Sequence, residues 1–393
     1  MKRLILLTII ALCVNIVKAQ WQQTSAQVDA GYGMKTLATD GTNILFGELG
    51  YGVYLSNDNG NNWITINNGL TGGTIHSTFI KSLLVCDTNI LASTLGGVFR
   101  YSYNNATWTD VNFGLPSTWT NTLTKSGTKI YTVIDGDKIY SSANNGNSWT
   151  LVDSSFTLII YCIAVNDTNI FVGTYNDGVL LSTNNGASWT TVNTGLPPSS
   201  RIRTINANGN SVFIGTDNGA FLSTNNGTNW ISINNGLTDS KVLDFAFSGT
   251  KIFAGTGHGV FLSNNNGSQW SNVSNGLPDT TVFDLEVNNL YLYAKDSIGL
   301  WKRPLTELSV SENNDNRDFN LYPNPTNGNF VINSNFNIKS IEVINVLGKV
   351  IYLNTENNFQ NNYEIDLSAV MKGIYFVKLD NGELIRTEKI IIY

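Results

Sequence analysis

The stretch Ser223-Thr-Asn-Asn-Gly-Thr-Asn-Trp230 lies between two short strand-like runs, Ala220–Ser223 before it and Trp230–Ile233 after it. Asn-Gly between two such runs strongly indicates a β-hairpin, because both residues tolerate the positive φ angles of tight turns. Five further segments share the pattern, and together with this one we call them the box turns: Ser56–Trp63, Ser102–Trp108, Ser142–Trp149, Ser182–Trp189 and Ser263–Trp270. Their tryptophans are spaced 40–45 residues apart, so the chain repeats one hairpin-containing unit.

Each repeat contains four short strand patterns. In the fifth repeat, Arg203–Ala207 precedes a Gly/Asn turn, Ser211–Gly215 follows it, and the last two patterns flank the box turn. A period of about 40–45 residues built from short strands is typical of β-propeller blades rather than helical solenoids. Trp21 lies 42 residues before the first box tryptophan, in register with the repeat. We therefore predict an all-β fold in which residues 20–305 form a seven-bladed β-propeller, with an N-terminal strand completing the last blade.

The box turns resemble the Asp-box (BNR) repeat, whose pattern is Ser-x-Asp-x-Gly-x-x-Trp. The resemblance implies a turn between the third and fourth strands of a blade, closed by a short polar side chain, with Trp packed between neighbouring elements. Only Asp58 keeps the Asp, but Asn offers the same acceptor oxygen elsewhere. The residues expected to have this scaffolding role are Ser56, Asp58, Gly60, Trp63, Asn144, Gly146, Trp149, Asn184, Gly186, Trp189, Asn225, Gly227, Trp230, Asn265, Gly267 and Trp270. The second box turn is one residue shorter and has no Gly, so we expect its blade to be distorted.

Residues 1–19 have the three parts of a secretory signal peptide. Lys2 and Arg3 precede the apolar run Leu4–Val17, and a small-residue cleavage site ends at Ala19. Cleavage would change the formal net charge from −6 to −9, and the chain has no run of basic residues. Nucleic acid and anionic membrane surfaces are therefore excluded as expected partners. No other run is long and apolar enough to predict a transmembrane segment after cleavage.

The repeat stops at a polar stretch, residues 306–318, which we interpret as a linker. Residues 319–393 resemble the type IX secretion-system sorting domain (type A) in four segments, Leu321–Phe330, Ile341–Gly348, Ile365–Ser368 and Gly373–Leu379. The resemblance implies a small Ig-like β-sandwich that engages the export machinery. It also implies a protein that is secreted by, or attached to the outer cell surface of, a Gram-negative bacterium.

Candidate catalytic and metal-ligating patterns in the predicted propeller are weak. Its four arginines are too few and too scattered for the three that sialidases direct at a substrate carboxylate. The two His and two remaining Cys are widely spaced, so we expect no metal, no cofactor and no catalytic triad. A glycoside hydrolase needs two facing carboxyl groups. The acids on the candidate face are Asp135, Asp137, Asp177, Asp217, Asp239, Asp279 and Asp296.

The candidate ligand-binding face is the one opposite the box turns. It is formed by the loops between second and third strands and by those that join successive blades. The residues expected to bind ligand there are Trp119, Tyr51, Tyr175, Tyr32, His258, Arg201, Asp177 and Asp217. Trp119 departs from the tryptophan period, and it either marks a binding surface or covers the second blade.

These patterns favour a binding protein over an enzyme. The expected ligand is a polysaccharide or surface glycoconjugate. The alternatives are a glycoside hydrolase that uses an Asp pair on the same face, and a protein-interaction or assembly factor. Fold alone does not choose among them.

Overall fold

A computed structural model describes residues 20–26, 36–70, 75–86, 89–116, 119–208, 211–278, 281–308, 319–345, 349–355, 360–380, 382 and 385–393. The predicted signal peptide, Tyr32 and Asp279 lie outside these residues. The chain divides into two compact units, Met1–Val310 and Ser311–Tyr393. No helix in the described ranges has the length and apolar character needed to cross a membrane.

The first unit contains seven four-stranded antiparallel sheets, which confirms the predicted seven-bladed propeller. Blade 1 contains β2 (Thr36–Thr39), β3 (Ile44–Glu48), β4 (Gly52–Ser56) and β5 (Ile64–Thr65). Blade 2 contains β6 (Ile80–Cys86), β7 (Asn89–Thr94), β8 (Gly97–Ser102) and β9 (Thr107–Asp110). Blade 3 contains β10 (Thr120–Ser126), β11 (Lys129–Ile134), β12 (Lys138–Ser142) and β13 (Thr150–Asp153). A 3₁₀ turn, Ile75–Thr78, precedes blade 2.

Blades 4 to 6 repeat the same order. Blade 4 contains β14 (Ile160–Asn166), β15 (Asn169–Thr174), β16 (Val179–Ser182) and β17 (Thr190–Thr191). Blade 5 contains β18 (Ile202–Asn208), β19 (Ser211–Thr216), β20 (Gly219–Ser223) and β21 (Ile231–Ser232). Blade 6 contains β22 (Val242–Ser248), β23 (Lys251–Thr256), β24 (Gly259–Ser263) and β25 (Ser271–Asn272). Blade 7 is β26 (Asp284–Val287), β27 (Tyr291–Lys295) and β28 (Leu300–Pro304), to which the N-terminal strand β1 (Gln22–Gln23) adds the fourth strand.

The ring closes through this N-terminal strand, as the spacing of Trp21 predicts. Gln22 pairs with Lys302 and Gln23 with Trp301 in antiparallel register. Trp21 is 2% exposed, and its indole Nε1 donates a hydrogen bond to the carbonyl of Val273 at 2.7 Å. The first strands of the blades are neighbours around the ring, and β26 contacts β2. The N-terminal strand thus supplies the outer strand of blade 7 and covers the edge of β28.

The hydrophobic core lies mainly between blades. One cluster joins blades 1 and 2 through Leu45 and Phe99, and another joins blades 6 and 7 through Phe253 and Leu292. The second strand of each blade is buried along almost its whole length, which suits a strand covered on both faces. The apolar surfaces of adjacent blades hold the ring together because each blade covers its neighbour.

The box turns are built as their sequences predict. In the first, the amide of Gly60 donates to Ser56 Oγ at 2.7 Å and the amide of Asn62 to Asp58 Oδ1 at 2.8 Å. Gly60 has a φ of +79°, a region that favours glycine. The same bonds recur with Asn as acceptor in four other blades, where the amides of Ser148, Ser188, Asn229 and Gln269 donate to Asn144, Asn184, Asn225 and Asn265. Asn therefore replaces Asp without loss of the turn.

Four of the six box tryptophans tie their blade to the one before it by a hydrogen bond. The indole groups of Trp149, Trp230 and Trp270 donate to the carbonyls of Val111, Val192 and Ile233 at 2.6–2.8 Å. Trp108 does the same to Ile66. Within the described residues, the buried indole nitrogens of Trp63 and Trp189 have no such partner. Trp21 makes the equivalent bond at the closure, so it is a member of this set.

Blade 2 keeps its four paired strands, and the difference expected from its shorter box turn appears in the pairing next to that turn. Strand β9 pairs with β8 in unbroken register from Ser102↔Thr107 to Phe99↔Asp110. Ala106 has a φ of +48° and takes the left-handed position that glycine occupies in the longer turns. Tyr101 pairs with Trp108 itself, whereas in the other blades the residue before the box serine pairs with the residue after the tryptophan. The shorter turn therefore keeps a continuous ladder but moves its register by one residue.

The second unit is a two-sheet β-sandwich, as predicted for the tail. One sheet contains β29 (Phe319–Tyr322), β30 (Asn329–Ile338) and β33 (Gln360–Asp366), and the other β32 (Val350–Asn354), β31 (Ser340–Asn345), β34 (Gly373–Asp380) and β35 (Ile385–Ile392). Both sheets contribute to one core that includes Phe330, Val343 and Val377. The sandwich therefore has its own core, separate from those of the blades.

Candidate ligand-binding face

The face opposite the box turns surrounds the opening of the central channel, and we call it the mouth face. It consists of the loops between the second and third strands of the blades and the residues directly before each first strand. Tyr51, Tyr175 and Asp177 lie in loops of the first kind, as do Asp217 and His258. Trp119 and Arg201 directly precede β10 and β18. The described residues of the predicted ligand-binding set therefore share one face.

The first strands carry a recurring β-bulge where they begin at this face. The pairing shifts by one residue between Ile80 and Ser82, and in the same way at Tyr161, Arg203 and Leu243 in later blades. Blade 3 has a corresponding shift between Thr120 and Leu123. A bulge leaves one residue unpaired and re-aims its side chain.

The bulged side chains line a cavity of about 230 Å³ at the channel mouth. Its walls come from six of the seven blades, and the lining residues are Thr36, Lys81, Tyr161, Arg203, Thr204, Leu243, Asp244, Phe283 and Asp284. The cavity is thus framed by cations and aromatic groups at its rim and by two carboxyl groups on blades 6 and 7.

Large apolar side chains are exposed around this cavity. Trp119 is 57% exposed, and Tyr51 and Phe283 are each 47% exposed. Tyr175, Ile159 and Ile298 are also exposed on this face. Clustered exposed apolar groups on a soluble protein often mark a binding surface. The exposure of Trp119 argues against the alternative in which it is a core residue of the second blade.

Arg201, Tyr161 and Tyr175 form a stack at the rim. The guanidinium carbon of Arg201 lies 4.1 Å from the ring centre of Tyr175 and 4.9 Å from that of Tyr161. Its Nη2 donates a hydrogen bond to the hydroxyl of Tyr161 at 3.2 Å. Cation–π contacts of this kind hold a guanidinium in a fixed orientation. The structure therefore brings together Tyr175 and Arg201 from the predicted set and adds Tyr161.

Two polar side-chain pairs occupy neighbouring positions. Arg203 Nη2 lies 2.8 Å from Asp217 Oδ1, and its Nε donates to the same oxygen at 2.8 Å. His258 Nδ1 lies 3.1 Å from Asp239 Oδ2. Asp177 is exposed and uses its backbone amide to cap the turn at Thr174. These contacts place Asp217 and His258 beside partners, whereas Asp177 faces solvent.

The channel below the rim contains three carboxyl groups. Asp244 and Asp284 hydrogen bond to each other, and they accept the backbone amides of Leu285 at 2.9 Å and Leu37 at 2.7 Å, respectively. Burial raises the pKa of both, and the carboxylate of Asp244 raises that of Asp284 further. Burial, helped by Asp244, also raises the pKa of Glu286 to about 8. The Asp284–Leu37 bond links blade 7 to blade 1.

These acids do not have the geometry of a glycosidase pair. Retaining and inverting enzymes hold their two carboxyl groups roughly 5–10 Å apart, with the sugar or a water between them. Asp244 and Asp284 instead bond to each other and to backbone amides of the next blade. Among the acids predicted on the rim, Asp135 and Asp137 pair with Lys138, and Asp296 caps the turn before Gly299. Their geometry is that of structural groups.

The raised pKa of Glu286 gives a pH-dependent expectation. A carboxyl group whose pKa is higher in the folded than in the unfolded state binds its proton more tightly when folded. It therefore costs stability as the pH rises from its unfolded value of 4.5 through about 8. We expect Glu286→Gln to raise the free energy of unfolding at pH 8 by about 1–3 kcal/mol and to change it little at pH 4.5. Urea denaturation at the two pH values measures this.

The exposed Glu307 offers a matched control for this substitution. Glu307→Gln should leave the pH dependence of unfolding unchanged. If Glu286→Gln lowers stability at pH 8, or changes it equally at both pH values, the channel does not disfavour the ionised carboxylate.

Sequence reasoning missed Lys81, Tyr161, Phe283 and the channel acids as parts of this site. Asp284 and Glu286 alternate with apolar Leu285 on a first strand, and this alternation alone places both on the channel side. Lys81 and Tyr161 reach the cavity through bulges, which alternation does not reveal. Among the described residues, no three His, Cys, Asp or Glu side chains are grouped as a metal site requires.

Two family models match parts of the chain. Residues 320–393 match the secretion system C-terminal sorting domain, and residues 160–297 match the DUF6242 beta propeller domain. No curated protein matches the sequence. The first match agrees with the motifs of the tail, and the second begins at the first strand of blade 4.

Solved structures with a similar fold are distant in sequence. The extracellular domain of a hybrid two-component system from B. thetaiotaomicron is 15% identical with a TM-score of 0.58, over 81% of this chain and 45% of that one. This chain thus spans less than half of that protein. YCF48 from Cyanidioschyzon merolae is 14% identical with a TM-score of 0.56, over 74% and 100% of the two chains. YCF48 bound to D1 peptide is 12% identical with a TM-score of 0.57, over 74% and 96%.

Such similarity establishes the propeller fold alone. The sorting domain adds the cellular destination, because it directs its cargo to the secretion machinery. The protein is therefore a seven-bladed β-propeller with a type IX secretion sorting domain, secreted by a Gram-negative bacterium or held on its outer surface.

Proposed function

We propose that the propeller binds a polysaccharide or surface glycoconjugate through the mouth face. The observation that carries the proposal is the ring of exposed aromatic side chains, among them Trp119, Tyr51 and Tyr175, around an open polar cavity. Sugar rings present apolar C–H faces that pack on aromatic rings, while their hydroxyl groups need nearby hydrogen-bond partners. Binding sites of this type combine apolar walls with a few placed polar groups.

The cavity is suited to a small part of a larger ligand. Its volume of about 230 Å³ is below the range of roughly 300–1000 Å³ that is usual for pockets enclosing drug-sized molecules. One sugar unit or side branch would occupy it, and the rest of a glycan chain would lie across the exposed rim. Thr36 and Thr204 offer hydroxyl groups inside the cavity.

A protein or peptide ligand is the second candidate. It is favoured by the exposed aliphatic side chains of Ile159 and Ile298, which suit an apolar contact better than a sugar hydroxyl. YCF48, which has a similar fold, binds a D1 peptide, but the likeness extends to the fold only. An array that carries both glycans and peptides separates the two candidates when probed with the chain lacking residues 1–19.

The substitution Trp119→Ala tests the aromatic rim. We expect it to weaken binding of the glycan found on such an array by about 1–3 kcal/mol, the order lost with an aromatic anchor. Stability should change by less than about 0.5 kcal/mol, since the side chain is 57% exposed. Isothermal titration calorimetry and urea denaturation of one purified variant provide both values.

Leu151→Ala is the matched control, because Leu151 is 52% exposed on β13, away from the mouth face. It should change neither quantity. Unchanged glycan affinity in Trp119→Ala would exclude the rim as the binding surface, and a large loss of stability would make Trp119 a packing residue.

A further inference from the structure

The mouth face has two cations that no described carboxylate neutralises. Arg203 is paired with Asp217, but the ion pairs of the described residues include none for Arg201 or Lys81. Lys81 lines the cavity from blade 2, and Arg201 lies on the rim beside blade 4. Both would attract an anion that approaches the channel, and the low dielectric of the cavity walls would strengthen this attraction.

Two tyrosines and a hydrogen bond hold Arg201 in place. Tyr161 and Tyr175 contact its guanidinium and each other, which limits the directions that its N–H groups can take. One of its five donors binds the hydroxyl of Tyr161, and its Nε is buried without a partner among the described residues. Because this Nε is closed off from solvent, a ligand would bond the N–H groups of the terminal nitrogens instead. A fixed guanidinium fork matches the two oxygens of a carboxylate.

The part of the cavity that contains its two carboxyl groups has different chemistry. Asp244, Asp284 and the hydroxyl of Thr204 lie there, with Thr204 Oγ1 3.2 Å from Asp244 Oδ1. Burial raises the pKa of both carboxyl groups, because the ionised forms lose their hydration there. This wall suits the hydroxyl groups of a sugar, which donate and accept hydrogen bonds.

We propose that the channel mouth binds an acidic polysaccharide, with one anionic group at Arg201 on the rim, another at Lys81 in the cavity, and sugar hydroxyl groups at the Asp244–Asp284 wall. This inference rests on the proposed function and names its ligand class. Each anionic group is a carboxylate of a uronic acid or a sulfate ester, and both kinds have the oxygens that a guanidinium recognises. A carboxylate presents two oxygens in one plane, and these match the planar guanidinium group of Arg201.

Polygalacturonate is the first probe, with its fully methyl-esterified form as the uncharged partner. Dextran sulfate and dextran form the second pair, which distinguishes sulfate from carboxylate. We expect the chain lacking residues 1–19 to bind at least one anionic polymer and to bind its uncharged partner at least tenfold more weakly. We expect Arg201→Gln to weaken anionic binding about 10- to 100-fold, the effect of losing charge-assisted hydrogen bonds.

Arg100→Gln is the matched control. Arg100 bonds the carbonyl of Asn145 and the side chain of Asn147 in a box turn, on the opposite face, and this substitution removes the same charge. It should leave binding unchanged. Lys81→Gln, which leaves the tyrosine stack intact, should weaken anionic binding at least threefold, and it replaces Arg201→Gln as the test if that variant unfolds.

The outcomes separate this inference from the proposed function. Equal binding of charged and uncharged polymers, or full affinity in folded Arg201→Gln or Lys81→Gln, would overturn the anionic subsite. The proposed function would survive if Trp119→Ala still weakened glycan binding. Binding of peptides alone, with no glycan retained on the array, would overturn both.

Discussion

Deletion of residues 20–26 is expected to unfold the propeller at temperatures where the full chain is stable. The deletion removes β1, which pairs with β28, and it exposes an edge of blade 7. It also removes Trp21, which packs with Val260, Leu292 and Leu308 and donates a hydrogen bond to Val273. The closure between the first and last blades would then depend on contacts between adjacent blades alone.

The single substitution Trp21→Ala isolates the largest part of this effect. We expect it to lower the free energy of unfolding by about 3–5 kcal/mol, as other truncations of buried aromatic residues do. Trp119→Ala removes the same side chain from an exposed position and is the control. Urea denaturation followed by tryptophan fluorescence measures both. A melting temperature unchanged by the deletion would mean that the ring closes through other contacts.

The propeller was predictable from the sequence because its blades repeat similar turn and packing residues. The box turns, the period of the tryptophans and the position of Trp21 all follow from residue type and spacing. The structure places Trp21 in the same bond to the preceding blade that Trp149 and Trp230 make. Spacing alone was therefore enough to predict the closure.

The shape of blade 2 was not predictable in the same way. A missing glycine suggested distortion, but Ala106 adopts the positive φ that the turn requires. Local preferences are weak compared with the packing of a whole blade between two neighbours, and here Tyr101 and Trp108 contact each other across β8 and β9. Tertiary packing thus fixed a turn that its sequence alone disfavours.

The candidate site was only partly predictable. Sequence position assigned Tyr175, Arg201 and Asp217 to one face, because loops of the same kind lie at the same end of every blade. The stack around Tyr161 and the cavity behind it depend on a one-residue shift in strand pairing. Such a shift follows from how two strands pair in three dimensions, and the sequence of one strand carries no sign of it.

Deletion of residues 319–393 is expected to keep the propeller from leaving the periplasm. The tail matches the sorting domain and forms a compact unit with a core of its own. The propeller should therefore fold without it and retain its melting temperature, while its export is lost. Cell fractionation and immunoblotting of the truncated and full chains measure the distribution. We expect the truncated chain almost entirely in the periplasmic fraction.

Two point variants separate loss of the sorting signal from an unspecific effect of truncation. Val343 is fully buried in the core of the sandwich, and Val343→Asp would place a charge there at a cost of several kcal/mol. Leu353 is 61% exposed on β32 of the same sheet, so Leu353→Asp should leave the sandwich folded. If the fold of the tail is what the export machinery recognises, Val343→Asp should accumulate in the periplasm and Leu353→Asp should reach the surface. Normal export of the truncated chain would mean that the propeller carries a sorting signal of its own.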